Sequence, residues 1–194
     1  MNFPAGREKI YDLVVIGGGA SGLMAALTAA KRGFSVAVAE KHHRCGLKLA
    51  ATGNGRCNLT NSIAIEEQAK RFGREWRFML PAFEALDNIG LCKFFAELGV
   101  PSSAADGVHF FPDSGRALDV MNALMSAGAA NKVNYLVNYP IRQIVRLTGD
   151  IFQLNSPENP SLLGRNVLLS GGGCGYPSLG DGEKVFDLAR QLGH

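Results

Sequence analysis

The chain has 194 residues, of which 46% are hydrophobic and 19% are charged, and its formal net charge is +3. The hydrophobic share excludes a disordered chain, no apolar run approaches the ~20 residues of a membrane-spanning helix, and the mild charge argues against nucleic acid as a partner. The four cysteines have no paired spacing and the first residues lack a signal-peptide pattern. We therefore expect a cytoplasmic protein without disulfides, a metal site or a membrane contact.

The first elements of the chain follow a strand–helix–strand pattern. Residues 12–16 are a short apolar run, which predicts a strand buried on both faces. Residues 21–32 are rich in alanine and leucine and predict a helix that ends at Gly33. Residues 35–39 predict a second buried strand, so the pattern is that of the crossover unit of a parallel sheet.

The rest of the chain predicts shorter elements. We expect an ordered loop over 41–62, helical structure over 80–98 with a break at Gly90, a strand over 107–112 and a helix over 115–128. Three short strands, at 133–138, 141–147 and 150–155, are expected to form an antiparallel meander. A buried strand over 166–170 and a helix over 182–192 follow.

A glycine motif lies between the first strand and the first helix. Gly17, Gly19 and Gly22 satisfy the G-x-G-x-x-G pattern of dinucleotide-binding turns. In that pattern the glycines allow a tight turn, close approach of a pyrophosphate and close packing of the helix on the strand. Ala20 and Ser21 belong to the same turn, where free backbone N–H groups at a helix N-terminus attract phosphate.

An acidic residue ends the second predicted strand. Glu40 lies about 20 residues beyond the glycine motif, where a carboxylate accepts hydrogen bonds from the ribose hydroxyls of the ligand. A 2′-phosphate would be repelled there, so the site favours FAD or NAD over NADP. A glycine-rich turn without a ligand is the alternative. The chain contains neither a Tyr-x-x-x-Lys pair nor a P-loop motif, which argues against a short-chain dehydrogenase and a P-loop NTPase.

A basic, glycine-rich segment over residues 45–61 follows. Lys48 and Arg56 supply positive charge after the second strand, where the diphosphate of a dinucleotide lies, and Gly55 allows close approach of the backbone. Cys57 and Asn58 continue this segment. A solvated basic loop with no ligand is the alternative interpretation.

These motifs resemble the BaiN-like family of bacterial NAD(P)/FAD-dependent flavoproteins. The matching stretches are residues 11–26, 46–61 with their Gly-Asn-Gly-Arg-Cys-Asn-Leu-Thr-Asn core, 110–112 with 119–120, and 176–177 with 193–194. The resemblance implies an α/β, Rossmann-like FAD-binding domain of glutathione-reductase type, with a parallel central sheet and a small antiparallel β-meander. It also implies adenosine on Glu40, the diphosphate at Gly19–Gly22, the Arg56–Asn58 loop beside the cofactor, and the backbone of Ile141 facing the adenine.

The cofactor-binding residues expected from the motifs and the resemblance form one set. They are Gly17, Gly19, Ala20, Ser21, Gly22, Glu40, Lys41, Lys48, Gly55, Arg56, Cys57, Asn58, Ile141 and Gly172. Residues 170–175 depart from the family pattern, because the threonine and lysine usual there are absent. We expect Cys174 in that stretch to be a buried or half-buried thiol without chemistry, and Cys57 to be structural.

The resemblance implies a flavin-dependent oxidoreductase acting on an unknown small molecule, with NAD(P)H as a possible electron donor. It places an inserted substrate domain and a returning segment after a stretch like 181–194, so we expect residues 1–194 to be the N-terminal portion of the FAD/NAD(P)-binding domain and catalytically incomplete. No catalytic acid or base is identified. The alternatives are a truncated, non-catalytic fragment and an RNA-modifying flavoprotein relative, which would require a strongly basic surface.

Overall fold

A computed structural model describes residues 9–174 and 183–194 of the chain. In chain order the elements are β1 (Ile10–Ile16), α1 (Ala20–Lys31), β2 (Val36–Ala39), α2 (Leu47–Ala51), β3 (Thr60–Asn61), α3 (Ile65–Lys70), α4 (Trp76–Ala85), α5 (Asn88–Glu97), β4 (Ser102–Ser103), β5 (His109–Pro112), α6 (Ala117–Ala130), β6 (Asn134–Leu136), β7 (Gln143–Arg146), β8 (Phe152–Asn155), β9 (Leu162–Leu169) and α7 (Glu183–Gln191). Within the described ranges, no helix is both long and apolar enough to cross a membrane.

A six-stranded sheet in the order β6-β2-β1-β9-β8-β7 forms the main layer. The strands β6, β2, β1 and β9 are parallel, with Val14 aligned to Ala37 on one side and to Val167 on the other. All four residues of β2 are buried, as the continuous apolar run predicts for a strand covered on both faces. Because these strands are parallel, their carboxyl ends meet at one edge of the sheet.

The prediction of the meander was wrong in one strand. Segment 133–138 supplies β6, which pairs in parallel with β2 instead of joining β7. The antiparallel ribbon consists of β7, β8 and β9. Since β6 follows helix α6, a crossover brings it to the sheet edge, whereas the short turns after β7 and β8 produce hairpins. Strand β9 also begins earlier than the predicted strand over 166–170. Exposed Arg165 and Asn166 interrupt its apolar pattern, so the pattern did not reveal the first part of the strand.

Alternation along β1 places its side chains on two faces of the sheet. Val14 and Ile16 contribute to a buried cluster that also contains Leu154 of β8 and Leu188 of α7. Helix α1 packs on β1 and β2 through a buried face that includes Leu23. Full burial of one such side chain stabilises the fold by about 1.5–3 kcal/mol, so the strand–helix–strand unit is firmly anchored.

Residues 49–124 form a second compact unit, and the remaining described residues form the first. The second unit contains a small antiparallel sheet in the order β3-β5-β4 and the helices α3, α4 and α5. The helical break predicted at Gly90 lies earlier, between α4 and α5, because the Asp87 carboxylate caps α5 by accepting the Gly90 N–H at 2.6 Å. The predicted loop over 41–62 contains α2, a turn at Thr52–Gly55 and β3.

Candidate functional site

The turn after β1 is shaped by two glycines and a serine. Gly17 has φ +105°, and a Cβ at that residue would lie 2.6 Å from the Ser170 carbonyl oxygen. A Cβ at Gly22 would lie 2.0 Å from the Gly17 carbonyl oxygen, so only glycine lets α1 approach the turn this closely. The Ser170 hydroxyl donates to the carbonyl oxygens of Ile16 and Gly17, which ties the end of β9 to the turn.

The N-terminus of α1 is open at Gly19, its capping residue. Gly19 has extended backbone angles, and no atom lies within 4 Å of the position of a Cβ there. Ala20 and Ser21 are exposed in the first turn. The first N–H groups of a helix have no intrahelical acceptor, and the helix dipole makes this end positive. The turn is therefore suited to an anionic group such as a diphosphate.

Glu40 lies at the carboxyl end of β2, beside this turn. Its side chain is 8% exposed, and its carboxylate accepts the Gly18 N–H at 2.7 Å through Oε2 and the His42 N–H at 2.9 Å through Oε1. A carboxylate offers about four acceptor positions, so Glu40 retains capacity for the hydroxyl groups of a ligand. The same side chain therefore shapes the turn and offers acceptors next to it.

Replacing Glu40 with glutamine is expected to weaken both the fold and the binding of a dinucleotide. The amide presents only one oxygen, so one of the two backbone N–H groups would face another donor and lose about 1–3 kcal/mol. Urea unfolding of the protein measures this loss, and Glu84→Gln, at an exposed glutamate, is the matched control. A variant as stable as the control would contradict the role assigned to the Glu40 carboxylate.

Gly18 occupies the second position of the motif, which the pattern leaves variable, and Cys45 restricts the residue type there. A Cβ at Gly18 would lie 2.4 Å from the Cys45 sulfur, and the Gly46 N–H donates to the Gly18 carbonyl oxygen at 2.8 Å. Burial, together with the charge of Glu40, raises the pKa of the Cys45 thiol to about 11. The sequence did not reveal this contact, because the motif leaves its second position unspecified and Cys45 lies in a different segment.

The four cysteines are free thiols and differ in exposure. Cys174 is exposed, so the prediction of a buried or half-buried thiol was wrong: the glycine turn after β9 leaves this residue outside the packed core. Cys45 and Cys57 are buried. Burial raises the pKa of Cys57 as well, although the Thr52 hydroxyl lowers it in part.

We expect these thiols to react at very different rates. At pH 8 a thiol with a pKa near 11 is ionised in only about one molecule in a thousand, so Cys45 should resist alkylation while Cys174 reacts readily. Mass spectrometry after brief iodoacetamide treatment of the native protein measures the order, with urea-unfolded protein as the control. Equal labelling of Cys45 and Cys174 in the native protein would contradict the described burial.

Lys48 and Gly172 lie together at the glycine turn that follows β9. The Lys48 ammonium group donates to the Gly173 carbonyl oxygen at 3.1 Å, and a Cβ at Gly172, which has φ +83°, would lie 3.4 Å from the Lys48 nitrogen. Lys41 follows Glu40 and is half-exposed. The structure therefore places a fixed positive charge at the carboxyl edge of β9.

Ile141 differs from its predicted position. Strand β7 begins at Gln143, so Ile141 precedes the strand instead of starting it. The Ile141 side chain is 7% exposed and belongs to the core cluster of the sheet. The neighbouring Arg142 N–H, which donates to the Asn155 carbonyl oxygen, begins the pairing between the hairpin strands.

The basic segment of the second unit has an unusual backbone. Gly53, Asn54 and Gly55 have φ values of 57°, 55° and 83°, and the non-glycine residue Cys57 has φ 62°. The Cys57 N–H donates to the Thr52 carbonyl oxygen at 2.9 Å, which closes the turn. Left-handed geometry at a non-glycine residue costs of order 1–3 kcal/mol and is concentrated at functional sites, so this turn is a candidate ligand-contacting element.

Arg56 is exposed within that turn and is held from two sides. Its guanidinium group lies over the Phe111 ring, 4.7 Å from the centroid, and its Nε donates to the Gly53 carbonyl oxygen at 3.4 Å. Asn58 is exposed nearby in the sequence. The cation–π contact orients the guanidinium, and the sequence did not predict it because Phe111 comes from β5.

Comparison with known proteins identifies the family. The chain matches the family model described as the HI0933-like protein Rossmann domain over residues 11–194. The chain belongs to the HI0933-like Rossmann family. This confirms the resemblance to the BaiN-like flavoproteins and the α/β fold. The matched Tyr176-Pro177 pair lies outside the described residues.

Two curated relatives of this HI0933-like chain cover nearly all of it. A 3-dehydro-bile acid delta(4,6)-reductase from Clostridium scindens is 30% identical over 93% of the chain. A ribosomal RNA dihydrouridine synthase from Haemophilus influenzae is 27% identical over 96% of the chain. The chain spans 43% and 46% of the lengths of these two relatives.

Solved structures support the HI0933-like fold. The open conformation of a flavocytochrome c3 fumarate reductase matches with a TM-score of 0.71 at 17% identity, over 97% of this chain and 41% of that one. A 3-ketosteroid-delta4-(5alpha)-dehydrogenase from Rhodococcus jostii matches with a TM-score of 0.64 at 17% identity, over 89% of this chain and 48% of that one. At such identity the likeness shows a shared fold.

Proposed function

We propose that this chain is the FAD-binding portion of a flavin-dependent oxidoreductase that acts on a small molecule. The observation that carries the proposal is the buried Glu40 carboxylate beside the open N-terminus of α1. One end of this arrangement offers acceptors for hydroxyl groups, and the other offers N–H groups for phosphate. Bound flavin would supply hydride or electron transfer, while the protein binds and orients it.

The residues of the first unit fit the adenosine diphosphate half of FAD. Gly19 leaves space for a diphosphate at the start of α1, and Glu40 has spare acceptor capacity for ribose hydroxyls. Lys48 adds positive charge at the same edge of the sheet. The absence of a basic residue in place of Glu40 supports FAD over a cofactor with a 2′-phosphate. The expected roles of Gly55, Arg56, Cys57 and Asn58 beside the cofactor stay predictions.

The relatives support the oxidoreductase class. The Clostridium scindens relative is named a reductase and the Rhodococcus jostii neighbour a dehydrogenase. We propose NAD(P)H as the electron donor, since a reductase needs a source of electrons for its flavin. A cytoplasmic location agrees with the four free cysteines.

Cofactor content of the purified protein tests the proposal. We expect a yellow protein that releases FAD on denaturation, identified by chromatography against FAD and FMN standards. A colourless protein that takes up no FAD in a fluorescence titration would overturn the proposal and favour a non-catalytic fragment. Adding NADH and NADPH separately under anaerobic conditions and following flavin bleaching then identifies the donor.

Reduction of a base in RNA is the second candidate function. The Haemophilus influenzae relative named a ribosomal RNA dihydrouridine synthase favours it, whereas the net charge of +3 argues against a large RNA-binding surface. Electrophoretic mobility shifts with ribosomal RNA at two salt concentrations separate the two candidates. Tight binding that falls steeply with salt supports the RNA substrate, and no binding at low salt supports a small molecule.

A further inference from the structure

The peptide group between Gly17 and Gly18, in the turn after β1, is held by a side chain at each end. Its carbonyl oxygen accepts the Ser170 hydroxyl at 2.9 Å, and its N–H donates to Oε2 of Glu40 at 2.7 Å. A trans peptide group is planar, and its C=O and N–H point in opposite directions. Ser170 and Glu40 therefore hold one rigid group from opposite sides, and a rotation at one end also moves the other.

The other backbone groups of Gly17 and Gly18 are also paired within the protein. The Gly17 N–H donates to the Ala39 carbonyl oxygen at 2.9 Å, and the Gly18 carbonyl oxygen accepts the Gly46 N–H at 2.8 Å. These two residues therefore shape the site, whereas the N-terminus of α1 supplies N–H groups that have no intrahelical acceptor. A residue that fixes the peptide group between the two glycines acts on a ligand only through the groups that it orients.

Strand β9 and helix α7 fix the backbone of Ser170. The Ser170 N–H donates to the Ile16 carbonyl oxygen at 2.9 Å, directly beyond the paired residues Ile16 and Leu169. A Cβ at the next residue, Gly171, would lie 2.1 Å from Cγ2 of Val185, so α7 packs directly on the residue that follows Ser170. The hydroxyl therefore starts from a fixed point, whereas a glycine backbone by itself adopts many conformations.

The orientation of this peptide group matters because Glu40 is the proposed acceptor for the ribose hydroxyls. Glu40 is buried, and each of its carboxylate oxygens accepts one backbone N–H, that of Gly18 at Oε2 and that of His42 at Oε1. These two hydrogen bonds set the direction of the carboxylate. If the Gly18 N–H turned away, one of the two would be lost, and the carboxylate would no longer be held in a single orientation.

We propose that Ser170 is a positioning residue for recognition of the ribose, because it fixes the peptide group that in turn fixes the Glu40 carboxylate. The inference rests on the proposed function and adds to it a residue 153 positions away from Gly17 in the sequence. Without the hydroxyl, the peptide group samples other orientations, and the apparent affinity falls with the fraction of molecules in the competent one. The N-terminus of α1 keeps its own N–H groups, so the loss concerns the ribose and not the diphosphate.

The test compares Ser170→Ala, Ser170→Cys and Ser62→Ala in the purified protein after removal of bound flavin. Cysteine keeps the approximate shape of serine and a weak S–H donor. The Ser62 hydroxyl donates to the Gly107 carbonyl oxygen at 2.9 Å at an exposed position of the second unit, so its removal is the matched control. Calorimetry measures dissociation constants for ADP and for 2′,3′-dideoxy-ADP, which lacks the hydroxyl groups of that ribose, and urea unfolding reports stability.

We expect the unchanged protein to bind ADP at least about tenfold more tightly than the dideoxy analogue, since hydrogen bonds to a carboxylate are strong. Ser170→Ala should weaken ADP about fivefold and the analogue less than about twofold, so the preference for ADP falls. Ser170→Cys should lie between these values, and Ser62→Ala should change neither constant. In the Glu40→Gln background, Ser170→Ala should weaken ADP less than about twofold, because both substitutions act on the same contact.

Equal weakening of ADP and the analogue by Ser170→Ala would overturn the inference, because it would indicate a general loosening of the turn. Unchanged ADP affinity in that variant, an equal loss in Ser62→Ala, full additivity with Glu40→Gln, or an unchanged protein without a preference for ADP would do the same. If Ser170→Ala does not fold, Ser170→Cys decides: a smaller preference for ADP supports the inference, and the original preference overturns it. If the unchanged protein binds neither FAD nor ADP, the proposed function itself fails, which is distinguishable from failure of the role of Ser170.

Discussion

Valine in place of Gly19 is expected to abolish FAD binding while the fold persists. Gly19 has φ −78° and ψ −175°, which any residue adopts, and no atom lies within 4 Å of its Cβ position. The added methyl groups would therefore meet no protein atom but would occupy the space proposed for the diphosphate. We expect affinity to fall at least about 100-fold, equivalent to about 2.7 kcal/mol.

Fluorescence titration with FAD and thermal unfolding of the variant measure both halves of this prediction. Loss of a favourable N-cap residue costs about 1 kcal/mol, so the midpoint should drop by only about 2–4 °C. Gly19→Ala is the graded control and should lose less affinity than the valine variant. A valine variant that retains FAD would show that the diphosphate does not approach Gly19.

Alanine in place of Gly22 is expected to have the opposite profile, with a large loss of stability. Its Cβ would lie 2.0 Å from the Gly17 carbonyl oxygen and 2.6 Å from the Ser170 hydroxyl, and the first of these is backbone that cannot rotate away. Helix α1 must then move off the turn and lose packing against β1. Such overpacking costs about 3 kcal/mol, which corresponds to a midpoint lowered by about 6–12 °C for a protein of this size.

Gly19→Ala also serves as the control for the Gly22 variant, since the same methyl group is added three residues earlier where the space is open. Differential scanning calorimetry of the two variants without ligand gives the comparison. We expect the unfolding midpoint of Gly19→Ala to lie close to that of the unchanged protein. Equal midpoints for the two variants would contradict the close approach of α1 to the turn.

The strand–helix–strand unit and the edge that carries the site were predictable from the sequence. Continuous apolar runs are typical of strands buried on both faces, and the glycine motif together with Glu40 fixes the order of the strand, turn and helix. The structure brings Gly17, Gly22 and Glu40 to one edge of the sheet as expected. Local pattern was sufficient here because the strand, the turn, the helix and the acidic residue all lie within one short stretch of the sequence.

Other features depend on partners far away in the sequence and could not be predicted. Strand β6 has the composition of a hairpin strand, yet it pairs with β2 across a crossover. The contact between Gly18 and Cys45 and the position of Arg56 over Phe111 each join separate segments. Periodicity and turn residues describe what a segment becomes, but they do not specify which surface it meets.

The packing of Cys45 beneath Gly18 has a consequence for the dynamics of the site. The backbone at Gly18 covers the Cys45 sulfur, and Cys45 is fully shielded from solvent. A reagent therefore reaches the sulfur only when the turn opens locally. The rate at which Cys45 is modified would therefore report how often the turn after β1 opens. A ligand that holds the turn closed would lower this modification rate without contacting the sulfur. The modification rate of Cys45, which lies behind the turn, would then measure occupancy of the proposed site.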